Sequence, residues 1–327
     1  MTAPRLRPEI DSLPAYKAGQ MPAPRTDIET YKISSNETPF EPPEAVRRAI
    51  ERAAATVHRY PDPFSRRLTG ALARRFDVAQ EQIALGTGSV AVVGQLIWAA
   101  AGPGDSVVYP WRSFEAYPIW VQMTGARSVQ VPLLADERHD LPLMLEAIDD
   151  STRIVFVCNP NNPTGEAVRR DALTEFIDAV PSDVIVVLDE AYREFISDTD
   201  VPDGLDFFHG QNNVVVMRTF SKAYGLAGLR VGFAIAPEPI AEGMRKTALP
   251  FGGSSIAEDA ALAALECEDE LFERVRHLSQ ERDRVWQALA DQGWDIHPSH
   301  ANFVWPVLAH VGCRPRIPNA FPRGRGS

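Results

Sequence analysis

The sequence has only three cysteines, Cys158, Cys267 and Cys313, and none forms a C-x-x-C pair. A disulfide framework, a zinc site and a redox dithiol are therefore not expected. No apolar run approaches the roughly 20 residues that cross a bilayer, and Met1 to Ser12 lacks the apolar stretch of a secretion signal. Basic residues are in the minority, 33 Lys and Arg against 44 Asp and Glu, for a formal net charge of −11. That balance argues against nucleic-acid binding and against attachment to an anionic membrane surface. The seven histidines show no metal-ligand spacing, so no metal is expected. The dinucleotide fingerprint and the Walker loop are both missing. In Gly86-Thr87-Gly88-Ser89 the next glycine, Gly94, comes too late. The cytosol is the expected compartment.

The chain does hold alternating strand and helix signals over 327 residues, with 45% hydrophobic content to build a core. Residues 1–40 are Pro-rich and irregular and read as an arm lying over a body. Helices are predicted from Pro42 to about Val57 and from Ser65 to Phe76. Gln82 to Ser89 then reads as strand, tight turn and helix start. Its free N–H groups at Gly88 and Ser89 suit an anion, although taken alone this is a weak phosphate signal and plain helix capping is the commoner use of such a turn. Arg153–Cys158, Asp183–Asp189 and Val214–Met217 are continuous apolar runs, the mark of strands buried on both faces. The expected fold is therefore α/β, with a mainly parallel sheet covered by helices on both faces. Ala241 onward is mostly helical, and Ala301–Trp305 is predicted to be a strand of a second, smaller domain. The expected division is an arm (1–40), a large domain (41–240), a small domain (241–305) and a tail (306–327).

The chemistry concentrates in Arg218-Thr219-Phe220-Ser221-Lys222-Ala223-Tyr224, which continues to Gly228-Leu229-Arg230. Lys222 follows a buried strand, at the end where ligands bind in open α/β sheets. A lysine among apolar neighbours loses basicity and can form an imine with a carbonyl compound. The hydroxyls of Thr219 and Ser221, with the cation of Arg230, suit a phosphate. A lysine beside a phosphate site suggests pyridoxal phosphate (PLP). Asp189 ends another buried strand, where a carboxylate can pair with a protonated pyridine nitrogen. Asn162 and Tyr192 suit a phenolate oxygen, and Phe114 suits the ring face. Taken singly, each has a plainer use: Asp189 as a helix cap, Phe114 as core, Asn159-Pro160-Asn161-Asn162-Pro163-Thr164-Gly165 as a turn.

Taken in order, Asn161-Asn162-Pro163-Thr164-Gly165, Asp189-Glu190-Ala191-Tyr192, Ser221-Lys222-Ala223 and Gly228-Leu229-Arg230 resemble the fold-type I PLP-dependent aminotransferases, within them the histidinol-phosphate aminotransferase group. The segments Leu6-Arg7-Pro8-Glu9-Ile10, Gly88-Ser89-Val90 and Trp111-Arg112-Ser113-Phe114-Glu115-Ala116-Tyr117-Pro118 resemble its actinobacterial aromatic amino-acid branch. The resemblance spans roughly residues 5–305. It implies that Lys222 carries PLP and moves the proton between the substrate α-carbon and the cofactor, and that Asp189 holds the pyridinium. It implies that Asn162 and Tyr192 hold the phenolate oxygen, and that Phe114 stacks on the ring. Gly88, Ser89, Thr219, Ser221 and Arg230 would bind the phosphate. Tyr60 would reach the phosphate of a neighbouring subunit, which implies a homodimer with shared sites. Tyr16 would line the substrate pocket. The implied reaction is transamination between an aromatic L-amino acid and a 2-oxo acid, with histidinol phosphate as the alternative substrate.

After Trp305 the sequence departs from that pattern. The family supplies a carboxylate-clamping arginine in this part of the chain. Here Cys313 to Ser327 is rich in Pro, Arg and Gly, with no strand or helix period, and no arginine maps onto the clamp. A reading-frame change near Trp305 is the expected cause, and an independent gene sequence with an unbroken frame through Ser327 would rule it out. A PLP-binding protein with impaired turnover is the expectation of another class.

Overall fold

The computed structural model describes residues 7–11, 13, 27, 29 and 31–306. Tyr16 and residues 307–327 of the tail lie outside the described residues.

Seven strands form one sheet: β1 (Ile83–Gly86), β2 (Ser106–Trp111), β3 (Arg127–Pro132), β4 (Thr152–Cys158), β5 (Ile185–Asp189), β6 (Val214–Thr219) and β7 (Gly232–Ile235). Their spatial order is β1-β7-β6-β5-β4-β2-β3. Every pairing from β6 to β3 is parallel. β7 runs antiparallel to both β6 and β1. The mainly parallel sheet read from the sequence is present, with the one reversed strand, β7, lying between β6 and the edge strand β1.

The apolar runs explain the layers. Val108, Val155, Val157, Val186, Leu188, Val214 and Val216 face one core, with Leu72, Leu173, Phe176 and Ala260 from covering helices. The alternate residues, Val107, Tyr109, Ile154, Phe156, Val187, Val215 and Met217, face a second core with Val93, Leu96, Tyr117 and Met244. Because strand side chains alternate, a strand buried on both faces must be apolar at every position. Ile154–Cys158 of β4, Ile185–Leu188 of β5 and Val214–Met217 of β6 satisfy this at the centre of the sheet, and the polar residues fall at the strand ends.

Helix Ser89–Ala100 packs on helix Glu238–Thr247, and helix Ser255–Glu266 packs on helix Glu44–Ala54. The arm touches the body where it is described: Arg7 donates to the carbonyl of Met123 at 2.7 Å.

One expectation is overturned. Ala301–Trp305 is not a strand; the segment bends, and the one antiparallel bridge nearby, between Ile296 and Pro306, lies just outside it. A strand persists only where a neighbour takes its backbone hydrogen bonds. Among the described residues Ala301–Trp305 has no such pairing position; the nearest is Pro306. Its apolar side chains are used differently: Phe303 lies edge-on to Tyr192, with ring centroids 5.3 Å apart.

Candidate active site

β4, β5 and β6 run parallel, so their carboxyl ends open together. That edge gathers the loop after Cys158, then Asp189 to Tyr192, then Ser221 and Lys222. The sequence spreads them over more than sixty positions, and the topology brings them together.

Lys222 is largely buried, and burial pushes its ammonium down to about 8; Glu37 opposes the shift, while Arg230 and Lys32 add to it. Its Nζ donates to the carbonyl of Ser35 at 2.9 Å and lies 5.6 Å from the centroid of the Tyr192 ring. The Tyr192 hydroxyl accepts from Asn36 Nδ2 at 3.0 Å, and Asn302 Nδ2 donates to the Asn36 carbonyl at 3.0 Å. Ser35, Asn36 and Asn302 were not singled out from the sequence. The only signal for the first two was their place in the Ser35-Asn36-Glu37-Thr38-Pro39 turn.

Asp189 is 3% exposed. Its Oδ2 accepts from the Tyr117 hydroxyl at 2.6 Å, while Oδ1 meets no donor among the described residues. Burial pushes this carboxyl up to about 6, against the Tyr117 bond. An unpaired buried carboxylate oxygen is costly and signals a missing donor. A pyridinium N–H meets that requirement, so the residues present fit PLP.

The phosphate side is also assembled. Arg230 adopts a left-handed φ of 57° and donates to Ser221 Oγ at 3.4 Å and to the Ala227 carbonyl at 2.9 Å. Gly88, with φ of 81°, lies beneath its guanidinium, where a Cβ would collide with Arg230 Nη2. Gly232 allows the start of the Ser89–Ala100 helix to approach β7; a Cβ there would strike the Ser89 backbone nitrogen. Gly88, Ser89, Ser221 and Arg230 thus meet at one helix N-terminus. Thr219 faces the corner instead: its Oγ1 accepts from the Ser221 N–H at 3.1 Å and donates to the Val231 carbonyl at 3.4 Å.

Asn161 locks the loop after β4. It accepts from Ser113 Oγ at 2.7 Å and donates to Thr164 Oγ1 and to the Arg112 carbonyl. Asn162, next in the chain, is half-buried. Phe114 lies edge-on to Tyr117, 5.6 Å between centroids. Tyr60 stands apart from this group. It is 84% exposed, with its ring 5.0 Å from that of Phe251. A cleft of about 1370 Å³ opens on the phosphate side, lined by Thr87, Phe114, Trp120, Arg230 and Leu249; Lys222 and Asp189 are not part of its wall.

The family model for aminotransferase class I and II matches residues 29–312. The chain belongs to this family. The match reaches past Trp305, where the resemblance read from the sequence ends. An aromatic amino acid aminotransferase of Streptomyces coelicolor is 58% identical over 304 residues, covering 93% of this chain and 84% of the relative. The enzyme of that name from Thermobifida fusca is 52% identical over 302 residues, covering 92% and 84%. Among solved structures, the histidinol-phosphate aminotransferase of Sinorhizobium meliloti in complex with pyridoxal-5'-phosphate superimposes with a TM-score of 0.78. It is 35% identical, with 83% of this chain and 73% of that one covered. The fold and family expected from the sequence are those found. No helix among the described residues is long and apolar enough to cross a membrane, and none of their His, Cys, Asp and Glu side chains form a metal-holding cluster.

Proposed function

We propose that this chain is a PLP-dependent aminotransferase that moves an amino group between an aromatic L-amino acid and a 2-oxo acid in the cytosol. The observation that carries the reading is the pairing of a buried amine of lowered basicity, Lys222, with the unpaired Oδ1 of Asp189 at neighbouring strand ends. Relatives named for aromatic amino acids, 47–58% identical over most of the chain, support the substrate class. Histidinol phosphate is the second reading, favoured by the 35%-identical structural relative named for it.

PLP, when bound, supplies a carbonyl carbon that takes up the amino group and a pyridinium that withdraws electrons from it. The protein does the rest. Lys222 anchors the cofactor covalently. Once released, its neutral amine takes a proton from the substrate α-carbon and delivers it to the cofactor side. An amine that titrates near 8 holds a useful neutral fraction close to neutral pH. Asp189 keeps the pyridine nitrogen protonated. Asn162 and Tyr192 hold the phenolate oxygen, and Phe114 covers the ring face. Gly88, Ser89, Ser221 and Arg230 hold the phosphate through N–H groups, a hydroxyl and the guanidinium, and Thr219 braces the Ser221 corner.

Tyr60, Phe64, Leu249 and Phe251 are exposed apolar or aromatic side chains. Phe64 and Leu249 line the cleft on the phosphate side. A second copy would cover them, and Tyr60 of the partner subunit would then complete the phosphate site in a homodimer.

The test is the visible spectrum of the purified protein before and after phenylalanine. A lysine-bound cofactor band that bleaches with phenylalanine and returns with a 2-oxo acid is expected. Faster bleaching by histidinol phosphate would favour the second reading. A band indifferent to both donors would leave a PLP-binding protein without turnover. No band with added PLP would reject the cofactor.

A further inference from the structure

Tyr117 is 0% exposed, in the first turn of the helix Ala116–Thr124. Its ring stacks on Phe156 of β4, 4.5 Å between centroids and 24° between planes, and meets Tyr109 and Phe114 edge-on at 5.7 and 5.6 Å. Three aromatic contacts fix its rotamer, and a phenylalanine would satisfy all of them. The hydroxyl is what they leave unexplained. A hydroxyl at this depth costs free energy unless it is bonded, and its partner is Asp189 Oδ2 at 2.6 Å. That length lies in the range of charge-assisted O–H···O bonds.

The same carboxylate presents Oδ1 with no donor among the described residues. One oxygen is therefore tied by the protein and the other is left for a ligand. The tie has two effects. It fixes the plane of the carboxylate, so Oδ1 has one direction. It also delocalises the negative charge, which makes the carboxylate a weaker base. Without that bond, a carboxylate so deeply buried would more readily take the proton from a pyridinium facing it.

We propose that Tyr117 is a positioning residue for amino transfer: its hydroxyl holds Asp189 ionised, with Oδ1 aimed at the cofactor's pyridine nitrogen, so that this nitrogen keeps its proton. The inference rests on the cofactor reading above. Tyr117 touches neither substrate nor the reacting carbon and acts only through Asp189.

The experiment compares wild type, Tyr117→Phe and Phe156→Leu as PLP-loaded proteins. It uses PLP labelled with ¹⁵N in the ring and reads the pyridine nitrogen by NMR alongside steady-state rates. Wild type should give a protonated-nitrogen signal. Tyr117→Phe, which removes one oxygen and keeps the ring, should move that signal toward unprotonated pyridine. It should also lower kcat about tenfold, the range for losing a hydrogen bond to a charged group, with KM for the amino donor within about twofold. Phe156→Leu loosens the packing but keeps the hydroxyl, and should retain the protonated signal. An unchanged nitrogen signal in Tyr117→Phe would overturn the inference while leaving the cofactor reading intact. An equal loss in Phe156→Leu would assign the effect to packing and overturn it as well. A wild-type protein with no lysine-bound cofactor band would end both.

Discussion

Asn36 and Tyr192 lie 156 residues apart in the chain and are joined by a hydrogen bond of 3.0 Å from Asn36 Nδ2 to the tyrosine hydroxyl. The neighbouring Ser35 carbonyl takes the Lys222 ammonium at 2.9 Å. A turn near the start of the chain therefore reaches two of the site's polar groups. Replacing Asn36 with alanine leaves a buried phenol without its donor, which costs about 1 kcal/mol. kcat/KM for phenylalanine should fall roughly fivefold to tenfold, with a matching rise in the PLP dissociation constant. Equilibrium binding measured beside the kinetics checks this, and a change in kcat alone would contradict it.

Gly88 combines a left-handed φ with a guanidinium directly over its Cα. Gly88→Ala meets both constraints and should weaken PLP retention by about 1–3 kcal/mol, roughly tenfold or more in dissociation constant. The strain and the collision are present without cofactor, so the thermal transition of the cofactor-free protein should fall as well. Fluorescence titration with PLP gives the first quantity and calorimetry the second.

The Lys222 ammonium is pushed down to about 8 by burial. An unfolded lysine holds its proton to about 10.4. Between these values the unfolded state binds more protons than the folded state, so the stability of the cofactor-free protein should climb as pH rises from about 8 to 10. Lys222→Met should flatten that climb, be more stable than wild type at neutral pH, and lose the visible band. Urea unfolding across this pH range decides it; an undiminished slope in the variant would place the titration elsewhere.

Arg218 is buried, with Nε and Nη2 both donating to Glu190 Oε2 at 3.0 and 2.8 Å, and Nη2 also to Asp203 Oδ1 at 2.6 Å. Arg218→Met strands a buried carboxylate that burial already makes a weaker acid. A loss of about 3–5 kcal/mol is expected. The double variant Arg218→Met, Glu190→Leu should recover part of it, because the stranded charge is gone. Denaturant midpoints of the three proteins give the comparison.

The sequence by itself determined the sheet and most of the residues of the candidate site. β4, β5 and β6 each hold an apolar run of four or five residues, Ile154–Cys158, Ile185–Leu188 and Val214–Met217, a pattern that suits a strand covered on both faces. Lys222, Asp189 and Asn162 follow those runs directly, so their place at one edge was legible from local order. Gly88 and Arg230 were legible as residue types suited to a phosphate. Tertiary structure decided everything that depends on which side chains meet. Tyr117 reads as another aromatic of a core helix until β5 brings Asp189 to its hydroxyl. Asn36 reads as a turn residue until the arm crosses the strand ends. Thr219, a hydroxyl beside a lysine, proves to be held by its own corner. Ala301–Trp305 has a strand's composition, yet it folds as bends because a strand is a property of two paired segments. Period and composition are written locally, whereas hydrogen-bond partners and strand pairing are relations between distant residues, which only the folded chain fixes.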